Sequence, residues 1–414
     1  MTITIKEPAI FGENILLPNL RHLRAVEAVG RHNSIGKAAQ ELRLSQPAVT
    51  QAVAKVEAAL DRVLFERHQK GTALTRAGEV YLNRVRRFLD QCDAALLSAT
   101  GGGPIRARYL TSAQIRSLIA ISASTTFSQA AHVSGISTSS LHRTLRDLEA
   151  MLDERVYTSS PYGLRMTDAG ASLARRLALA LREMDAALDE IGSLDGVESG
   201  KILIGALPMS GAYLIGAAIA RLTERFPKAR VVVTNAPYAI LFNSLRNGAI
   251  DMIFGVLRRP DWDMEVAEIP LFTDPYCIVA RSGHPLAAQA EVTRSDLLRH
   301  DWIAPGQGTP RRREYDALFE EQDKHPNMLI ETSSLSTIRA ILACSNRLAL
   351  VSRHEIEMDE QLNLLTVLPW NPSFPPAHKG ISIRTNWLPT PIQTQFVNIL
   401  KESALALEQE PRSL

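Results

Sequence analysis

Cysteine is scarce in this sequence, with three residues, Cys92, Cys277 and Cys344, spread over 414 positions. An odd number of distant thiols excludes a disulfide framework and offers no paired metal spacing, which favours a reducing compartment. No apolar run approaches the roughly 20 residues that span a bilayer, and the N-terminal stretch lacks a signal-peptide core. We therefore expect a cytoplasmic protein with no membrane partner.

An excess of charge of one sign is also missing, since 46 basic residues face 44 acidic ones. The sequence contains no GxSxG, no P-loop, no zinc-ligand spacing and no GxGxxG after a strand. We accordingly predict no catalytic residue, no metal site and no cofactor. A balanced total can still conceal a local basic patch, so charge is considered segment by segment.

An internal repeat dominates the first half of the chain. The segment SIGKAAQELRLSQPAVTQAVAKVEAALDRVLFERHQKGTALTRAG (34–78) aligns without a gap on TFSQAAHVSGISTSSLHRTLRDLEAMLDERVYTSSPYGLRMTDAG (126–170) at an offset of 92. Each copy predicts a helix, a short turn, a second helix and a two-stranded wing that ends at a capping threonine. This is the pattern of a winged helix-turn-helix, present twice. A pair of plain helical hairpins is the alternative, but it has no need of a wing.

Helix-end residues support this reading in both copies. Ser45 is a good N-cap, and Pro47 in the first turn sacrifices no hydrogen bond. Asp61 and Asp153 stand where each second helix must end in a left-handed residue. Lys70-Gly71 and Tyr162-Gly163 are expected to turn the wings.

Charge distinguishes the two copies. Segment 34–78 holds seven basic and four acidic residues, whereas 126–170 holds four basic and five acidic ones. Affinity for DNA depends on Lys and Arg near phosphates, so the first copy is the stronger candidate for binding double-stranded DNA. Its predicted DNA-binding residues are Ser45, Gln46, Pro47, Ala48, Thr50, Gln51, Arg67 and Lys70. The recognition helix would enter the major groove, with Arg67 and Lys70 gripping phosphate.

The second copy keeps the frame but replaces SQPA with STSS, and its wing segment YTSSPYG lacks charge. We assign it an auxiliary role in DNA contact or assembly. Its possible DNA contacts are Ser137, Ser139, Ser140, His142 and Arg143.

Each wing is followed by a long helical pattern. The first ends in a glycine-rich break, SATGGGPIRARYL. The second, from Thr167 to about Ile191, carries an apolar stripe with helical spacing. Such a stripe suits a helix pair between two chains, and packing against its own wing domain is the alternative.

From Lys201 the pattern changes to alternating strands and helices, which predicts an α/β fold with largely parallel strands. Ligands bind such folds at the carboxyl ends of the strands. Three turns there lead into helix N-termini, which offer backbone N–H groups to an anion or polar oxygen. The candidate effector-binding residues in these turns are Met209, Ser210, Gly308, Thr309 and Ser333.

The stretches SIGKAAQELRLSQPAVTQAVAKVEAAL, LFER and LTRAGE, and later GKILIGALP, LRNGAIDMIFG and SGHPLA, resemble LysR-type transcriptional regulators over nearly the whole chain. The resemblance implies an N-terminal winged helix-turn-helix, a dimerising linker helix and a two-lobed effector domain like type 2 periplasmic binding proteins. It also implies a small-molecule effector, and a homodimer or homotetramer. Met209 and Ser210 match the first effector-contacting turn, Tyr238 a position near the end of the second strand, and 305–309 the loop of the other lobe.

The extra copy departs from the family pattern, and with the style of the effector domain it is similar to the galactose-binding-protein type of sugar regulator. The predicted domains are a first winged unit at 18–77, a helix and glycine-rich linker at 78–109, a divergent second winged unit at 110–169, a linker or dimerisation helix at 170–195 and an effector domain at 200–405. Two alternatives are an enzyme fused to a DNA-binding module and a solute-binding protein. The absent catalytic motifs disfavour the first, and the attached helix-turn-helix disfavours the second. A sugar or small organic acid is the expected effector.

Overall fold

The computed structural model describes residues 18–68, 71–100, 109–160, 163–194, 199–258, 265–320, 326–327, 329–371 and 374–409. The chain divides into two compact units, Met1–Gly200 and Lys201–Leu414. The glycine-rich break at 101–103 and the turn residues Lys70 and Tyr162 lie outside the described residues.

Unit 1 holds eight described helices and two hairpins. In chain order they are α1 (Leu20–His32), α2 (Ile35–Leu42), α3 (Gln46–Leu60), β1 (Phe65–His68), β2 (Gly71–Leu74), α4 (Arg76–Thr100), α5 (Ser112–Ser122), α6 (Phe127–Ser134), α7 (Thr138–Leu152), β3 (Tyr157–Ser160), β4 (Gly163–Met166) and α8 (Asp168–Ser193). The wings β1–β2 and β3–β4 are antiparallel pairs. Two winged helix-turn-helix units are therefore present, as the repeat predicts.

The capping residues act alike in the two copies. Ser45 accepts a hydrogen bond from the backbone N–H of Ala48, and Ser137 accepts one from that of Ser140. The helices α3 and α7 end at Asp61 and Asp153, whose φ angles of 51° and 57° are left-handed. The sequence prediction of these helix ends is confirmed.

The junction between wing and long helix explains the repeated Thr-x-Ala-Gly. Thr75 Oγ1 donates to the carbonyl of Val63 at 2.7 Å and accepts from the N–H of Gly78 at 3.0 Å. A Cβ on Gly78 would lie 2.1 Å from the Leu64 carbonyl oxygen. In the second copy a Cβ on Gly170 would lie 1.9 Å from the equivalent oxygen of Val156. Only glycine fits where the wing backbone passes this close to the helix.

The apolar stripe of α8 has a partner within the same chain. It packs on α4 of the same chain, in the largest contact between any two elements among the described residues. A helix pair therefore forms within the chain, as the stripe suggests, and pairing of this helix between two chains stays a prediction. Leu188 has the same helical spacing as the buried residues of the stripe, but it is 42% exposed and so departs from it. The physical reason is that the first copy supplies an equivalent helix with a matching apolar face.

Unit 2 contains the remaining elements. They are β5 (Ser199–Ala206), α9 (Ala212–Arg225), β6 (Lys228–Asn235), α10 (Tyr238–Arg246), β7 (Met252–Val256), β8 (Val266–Asp274), β9 (Tyr276–Arg281), α11 (Arg294–Leu298), β10 (Trp302–Ala304), α12 (Pro310–Phe319), β11 (Ile330–Glu331), α13 (Leu335–Ala343), β12 (Leu348–Ser352), α14 (Glu357–Gln361), β13 (Leu365–Val367), β14 (Ala377–Arg384) and α15 (Pro391–Gln409). Short 3₁₀ turns cover Pro285–Ala288 and Arg353–Glu355.

Two five-stranded sheets divide unit 2 into two lobes. Their strand orders are β6-β5-β7-β14-β8 and β11-β10-β12-β9-β13. The chain passes from the first sheet to the second between β8 and β9, and returns between β13 and β14. The hydrophobic core of the first lobe includes Phe254 and Phe396, and that of the second lobe includes Trp302 and Tyr315.

The prediction of largely parallel strands is only half right. The pairs β5–β7, β10–β11 and β10–β12 are parallel. However, β14 is antiparallel to both β7 and β8, and β9 is antiparallel to both β12 and β13. The chain passes between the lobes from β8 to β9 and from β13 to β14. These strands are not linked to their sheet neighbours by a strand–helix–strand unit, so they need not be parallel to them.

Candidate DNA interface and effector cleft

The start of α3 lies open to solvent at the residues expected to contact DNA. Ser45, Gln46, Pro47 and Gln51 are exposed. Ala48 and Thr50 are half-buried. Because Val49 beneath them is fully buried, the helix is anchored while its first turn and a half stays accessible. Arg67 lies in β1, but its side chain is not among those described, and Lys70 lies outside the described residues.

Thr50 faces inward as well as outward. It lines a cavity between helix and wing, together with Ile35, Val53 and Phe65. A methyl contact to a thymine is therefore one of two tasks open to this side chain, the other being packing.

The second copy fills the equivalent space with aromatic rings. At the offset of 92, Phe127, His142 and Tyr157 replace Ile35, Thr50 and Phe65. The rings of Phe127 and His142 stack with centroids 3.8 Å apart, and Tyr157 packs edge-on against Phe127 at 5.3 Å. His142 is thus a packing residue of the second copy.

The hydroxyls at the start of α7 largely satisfy one another. Ser137 Oγ lies 3.0 Å from Ser139 Oγ and 2.9 Å from Ser140 Oγ. Arg143 is exposed, and it occupies the position equivalent to Gln51. Of the residues predicted here, Arg143 is the one best placed to reach a nucleic acid.

The turn at Met209, the first candidate for effector contact, is strained and is held in place by a buried lysine. Met209 adopts a left-handed φ of 55°, which costs energy for a residue other than glycine. Lys379, fully buried on β14, donates to the Met209 carbonyl at 3.0 Å and to Asp274 Oδ2 at 2.6 Å. The Met209 turn is thereby fixed to the last residue of β8, next to the passage between the lobes.

The helix N-terminus at this turn is not open, contrary to the sequence prediction. Ser210 is buried, and its hydroxyl lies 3.4 Å from the Pro208 carbonyl, so it does not cap α9. The N–H groups of Gly211 and Ala212 instead donate to Glu355 Oε1 of the second lobe. A carboxylate of the chain itself neutralises this positive helix end.

Arg311 is a buried charged group that contacts both lobes of unit 2. It is 7% exposed, and its guanidinium donates to Met209 Sδ, to the Leu350 carbonyl at 3.2 Å and to the Thr332 carbonyl at 3.5 Å. None of these acceptors is a carboxylate. Burial lowers the pKa of Arg311 to about 10, because desolvation penalises the charged form. A buried cation held by neutral acceptors is a favourable place for an anion.

The candidate loops of the second lobe meet beside this arginine. Thr309 caps α12 by accepting from the N–H of Arg312, and it donates to the Gly306 carbonyl at 2.7 Å. A Cβ on Gly306 would lie 3.0 Å from Ser333 Oγ, so the two loops are adjacent. Gly308 is exposed, with a left-handed φ of 70°.

Tyr238 contacts a second arginine, Arg258, which is half-buried and lies near Arg313. The Arg258 guanidinium lies 4.3 Å from the centre of the Tyr238 ring. Burial lowers the pKa of Arg258, and the nearby Arg313 lowers it further. Arg311 thus contacts Met209 and the Thr332 carbonyl directly. The loops that carry Thr309 and Ser333 adjoin each other next to it in the chain, whereas Tyr238 lies against a second arginine.

Arg311, Glu355 and Lys379 were missed by the sequence reading. A signal for the first was available in the run Arg311-Arg312-Arg313, which places three cations in the first turn of α12. Cations there oppose the helix dipole, so the run needs an anionic partner. Arg312 finds one in Asp316 at 2.8 Å and another in Glu331 at 3.4 Å. Arg311 does not.

Within the described ranges, no group of three His, Cys, Asp or Glu side chains is arranged to hold a metal ion. Among the helices that the structure describes, none combines the length and apolar character needed to cross a membrane.

Comparison with known proteins agrees with this architecture. The family model of the LysR substrate binding domain matches residues 195–405. The model of the bacterial regulatory helix-turn-helix protein of the lysR family matches twice, at 20–79 and 112–171. The two matches are offset by the period of the repeat, which confirms the duplication.

Individual relatives span most of the chain. It is 30% identical to the HTH-type transcriptional regulator GalR of Pseudomonas putida over 360 residues, which are 86% of this chain and 90% of that protein. It is 27% identical to GbpR of Rhizobium radiobacter over 59% of this chain and 82% of that protein. The solved structure of a full-length OxyR variant from Pseudomonas aeruginosa shares the fold, with 20% identity, 72% of this chain and 95% of that chain covered, and a TM-score of 0.53.

A duplicated DNA-binding unit precedes a two-lobed small-molecule-binding domain, and relatives cover both parts of the chain. The chain belongs to the LysR family of DNA-binding transcriptional regulators.

Proposed function

We propose that this regulator senses a small anionic metabolite, such as a sugar acid or another organic acid, in the cleft around Arg311. The observation that carries the proposal is the buried guanidinium of Arg311, whose hydrogen-bond acceptors are all neutral. A carboxylate or phosphate entering the cleft would supply a hydrogen-bonded counter-charge, in addition to the nearby charge of Glu355. Thr309 and Ser333 would contribute hydroxyls, and Gly308 would allow close approach of the ligand.

Tyr238 and Arg258 would form the opposite wall. Their stacked contact supports a ligand with a flat or polar face beside the anionic group. The Met209–Ser210 turn would sense occupancy, because Lys379 ties it to Asp274 next to the passage between the lobes. Effector binding would shift the population of lobe arrangements without chemistry, and we assign no catalytic residue and no cofactor.

For the DNA-binding half, we propose that the first copy reads sequence. Gln46, Gln51 and Thr50 would contact bases while Arg67 and Lys70 would hold phosphates. We propose the domain limits 18–77, 78–109, 110–169, 170–195 and 200–405, a cytoplasmic location, and a homodimer or homotetramer as the working assembly.

The effector proposal is tested by thermal unfolding and calorimetry with matched ligand pairs. Each pair shares a carbon skeleton and differs in charge, for example galactonate with galactose and benzoate with benzyl alcohol. A ligand that binds only the folded state raises the midpoint, and at 100 times Kd the gain is about 2.7 kcal/mol.

The variant Arg311→Gln should weaken binding of the anionic member at least 10-fold. Arg299→Gln is the matched control, since Arg299 is exposed and pairs with Asp296 at 3.0 Å. A neutral ligand that binds more tightly than its acid, with an affinity indifferent to Arg311→Gln, would refute the proposal.

A further inference from the structure

The helices that follow the two wings occupy equivalent places in the repeat, and they pair with each other. Arg84, near the start of α4, donates to Glu190 near the end of α8, and to Glu183 at 2.7 Å. Gln91, further along α4, donates to Glu183 at 3.0 Å. A later residue of α4 thus contacts an earlier residue of α8, so the two helices are antiparallel.

The buried stripes of the pair are also equivalent. At the offset of 92, the following buried residues correspond: Val85 with Leu177, Phe88 with Ala180, Leu89 with Leu181, Cys92 with Met184 and Ala95 with Ala187. Equivalent helices that pack through equivalent faces in opposite directions are related by an approximate twofold axis. Each helix is joined to its own wing by the same Thr-x-Ala-Gly junction, so the axis is expected to relate the two winged units as well.

The polar contacts make this pair specific. Arg84 is 1% exposed, and although burial acts to lower the pKa of Arg84, its hydrogen bonds with Glu190 and Glu183 raise it. Arg87 adds a further hydrogen bond to Glu183 at 3.0 Å. The four side chains together are neutral, with Arg84 enclosed by both carboxylates.

Substituting the equivalent positions shows why α4 would not pair with another α4. Glu183 and Glu190 of α8 correspond to Gln91 and Ser98 of α4. An α4–α4 pair would therefore bury Arg84 without a carboxylate, which is costly. An α8–α8 pair would offer those carboxylates to Arg176, the equivalent of Arg84, but would leave Arg84 unpaired. In the observed pair, Arg176 Nε has no hydrogen-bond partner among the described residues.

Both recognition helices remain accessible in this arrangement. The N-terminal residues of α3 and of α7 are exposed, and the α4–α8 contact uses neither end. On B-form DNA, two heads related by a twofold axis fit successive major grooves about one helical turn apart.

We propose that a single chain is a complete two-headed DNA-binding unit, in which the α4–α8 pair sets two winged units on one duplex. The head at 34–78, with its excess of basic residues, is the strong one, and the acidic head at 126–170 is the weak one. The preferred duplex holds two adjacent and unequal sites, and it spans roughly 20 base pairs.

A charge-swap experiment on the full chain separates pairing within one chain from pairing between chains. The variants are Arg84→Glu, Glu190→Arg and the same-chain double variant. Each single change leaves two excess like charges in the cluster, whereas the double variant is neutral again. The probe is a duplex selected from a random pool by the unaltered chain, and the readouts are Kd and footprint length.

Each single variant should bind at least 10-fold more weakly and protect only the strong site, and the double variant should recover most of the affinity and the full footprint. Co-refolding the two single variants should recover neither, because each chain keeps its own mismatched pair. Recovery in the mixture would overturn the proposal. It would mean that α4 of each chain pairs with α8 of the other chain, because only then do both pairs combine opposite charges.

Stoichiometry provides a test that does not depend on how the variants fold. With excess duplex containing one pair of sites, native mass spectrometry of the unaltered protein should find as many bound duplexes as chains in each oligomer. Two chains for each duplex under these conditions would also overturn the proposal.

Discussion

Gln51 and Arg143 occupy the same position of the recognition helix in the two copies, and both are exposed, so they provide a matched comparison. Replacing either with alanine removes no buried contact, and both variants should unfold like the unaltered protein. If Gln51 contacts a base edge, its loss should cost about 1–3 kcal/mol, which is about 5- to 150-fold in Kd at 25 °C. The loss should be concentrated at one or two positions of the operator.

Arginine is the commonest reader of guanine, so Arg143 would be the dominant specificity residue if the second copy read sequence. We expect instead that Arg143→Ala weakens binding less than about 5-fold, uniformly across sequences, and reduces the salt slope by about one. The assay is fluorescence anisotropy over a salt series, with the selected duplex and with single-base variants of it. A greater loss of affinity and specificity from Arg143→Ala than from Gln51→Ala would refute the assignment of the first copy as the reader.

Three further predictions concern the folded chain. His142→Ala should lower the free energy of unfolding of unit 1 by about 0.5–1.5 kcal/mol or more, the value of an aromatic pair, while operator affinity changes less than twofold. Urea unfolding measures the stability and fluorescence anisotropy the affinity. An unchanged stability would contradict the packing role. Gly170→Ala should destabilise by about 2 kcal/mol or more because its Cβ meets a carbonyl oxygen at 1.9 Å, whereas Gly216→Ala, in α9 with open space around it, should gain up to about 1 kcal/mol; equal urea midpoints would count against this. Cys344 is exposed, whereas burial raises the pKa of Cys92, so Ellman's reagent should find Cys344 in the native protein at pH 8 and Cys92 only after unfolding, and fast labelling of Cys92 at pH 9 would contradict its burial.

Much of unit 1 could be predicted from the sequence because its signals are local. Ser45 and Asp61 specify the two ends of α3 through their own side chains and backbone, and the repeat states the same information twice. The partner of α8 could not be predicted, since an apolar stripe specifies that a helix pairs but not whether its partner belongs to the same chain. Arg84 and Glu190, 106 positions apart, carry that information, and only the fold brings them together.

In unit 2 the errors have a different origin. The strand β14 includes the buried Lys379, a residue that lowers the strand signal and becomes intelligible only once Asp274 is seen beside it. Glu355 occupies the start of α9, where the sequence predicted a ligand oxygen, and this arrangement depends on two lobes meeting. The candidate site residues were found as turns, but the charge at the centre of the cleft, Arg311, required the tertiary structure.

The two glycines beneath the wings, Gly78 and Gly170, show that both copies are still held to the same backbone design while their surfaces have separated. In an assembly of two identical chains, a change of one codon alters both heads at once, and the DNA site must remain symmetric to follow it. Here each head has its own codons within one gene. One head can acquire a new sequence preference, or lose its charge, while the other conserves an existing site, so the bound DNA is released from the requirement to be a palindrome.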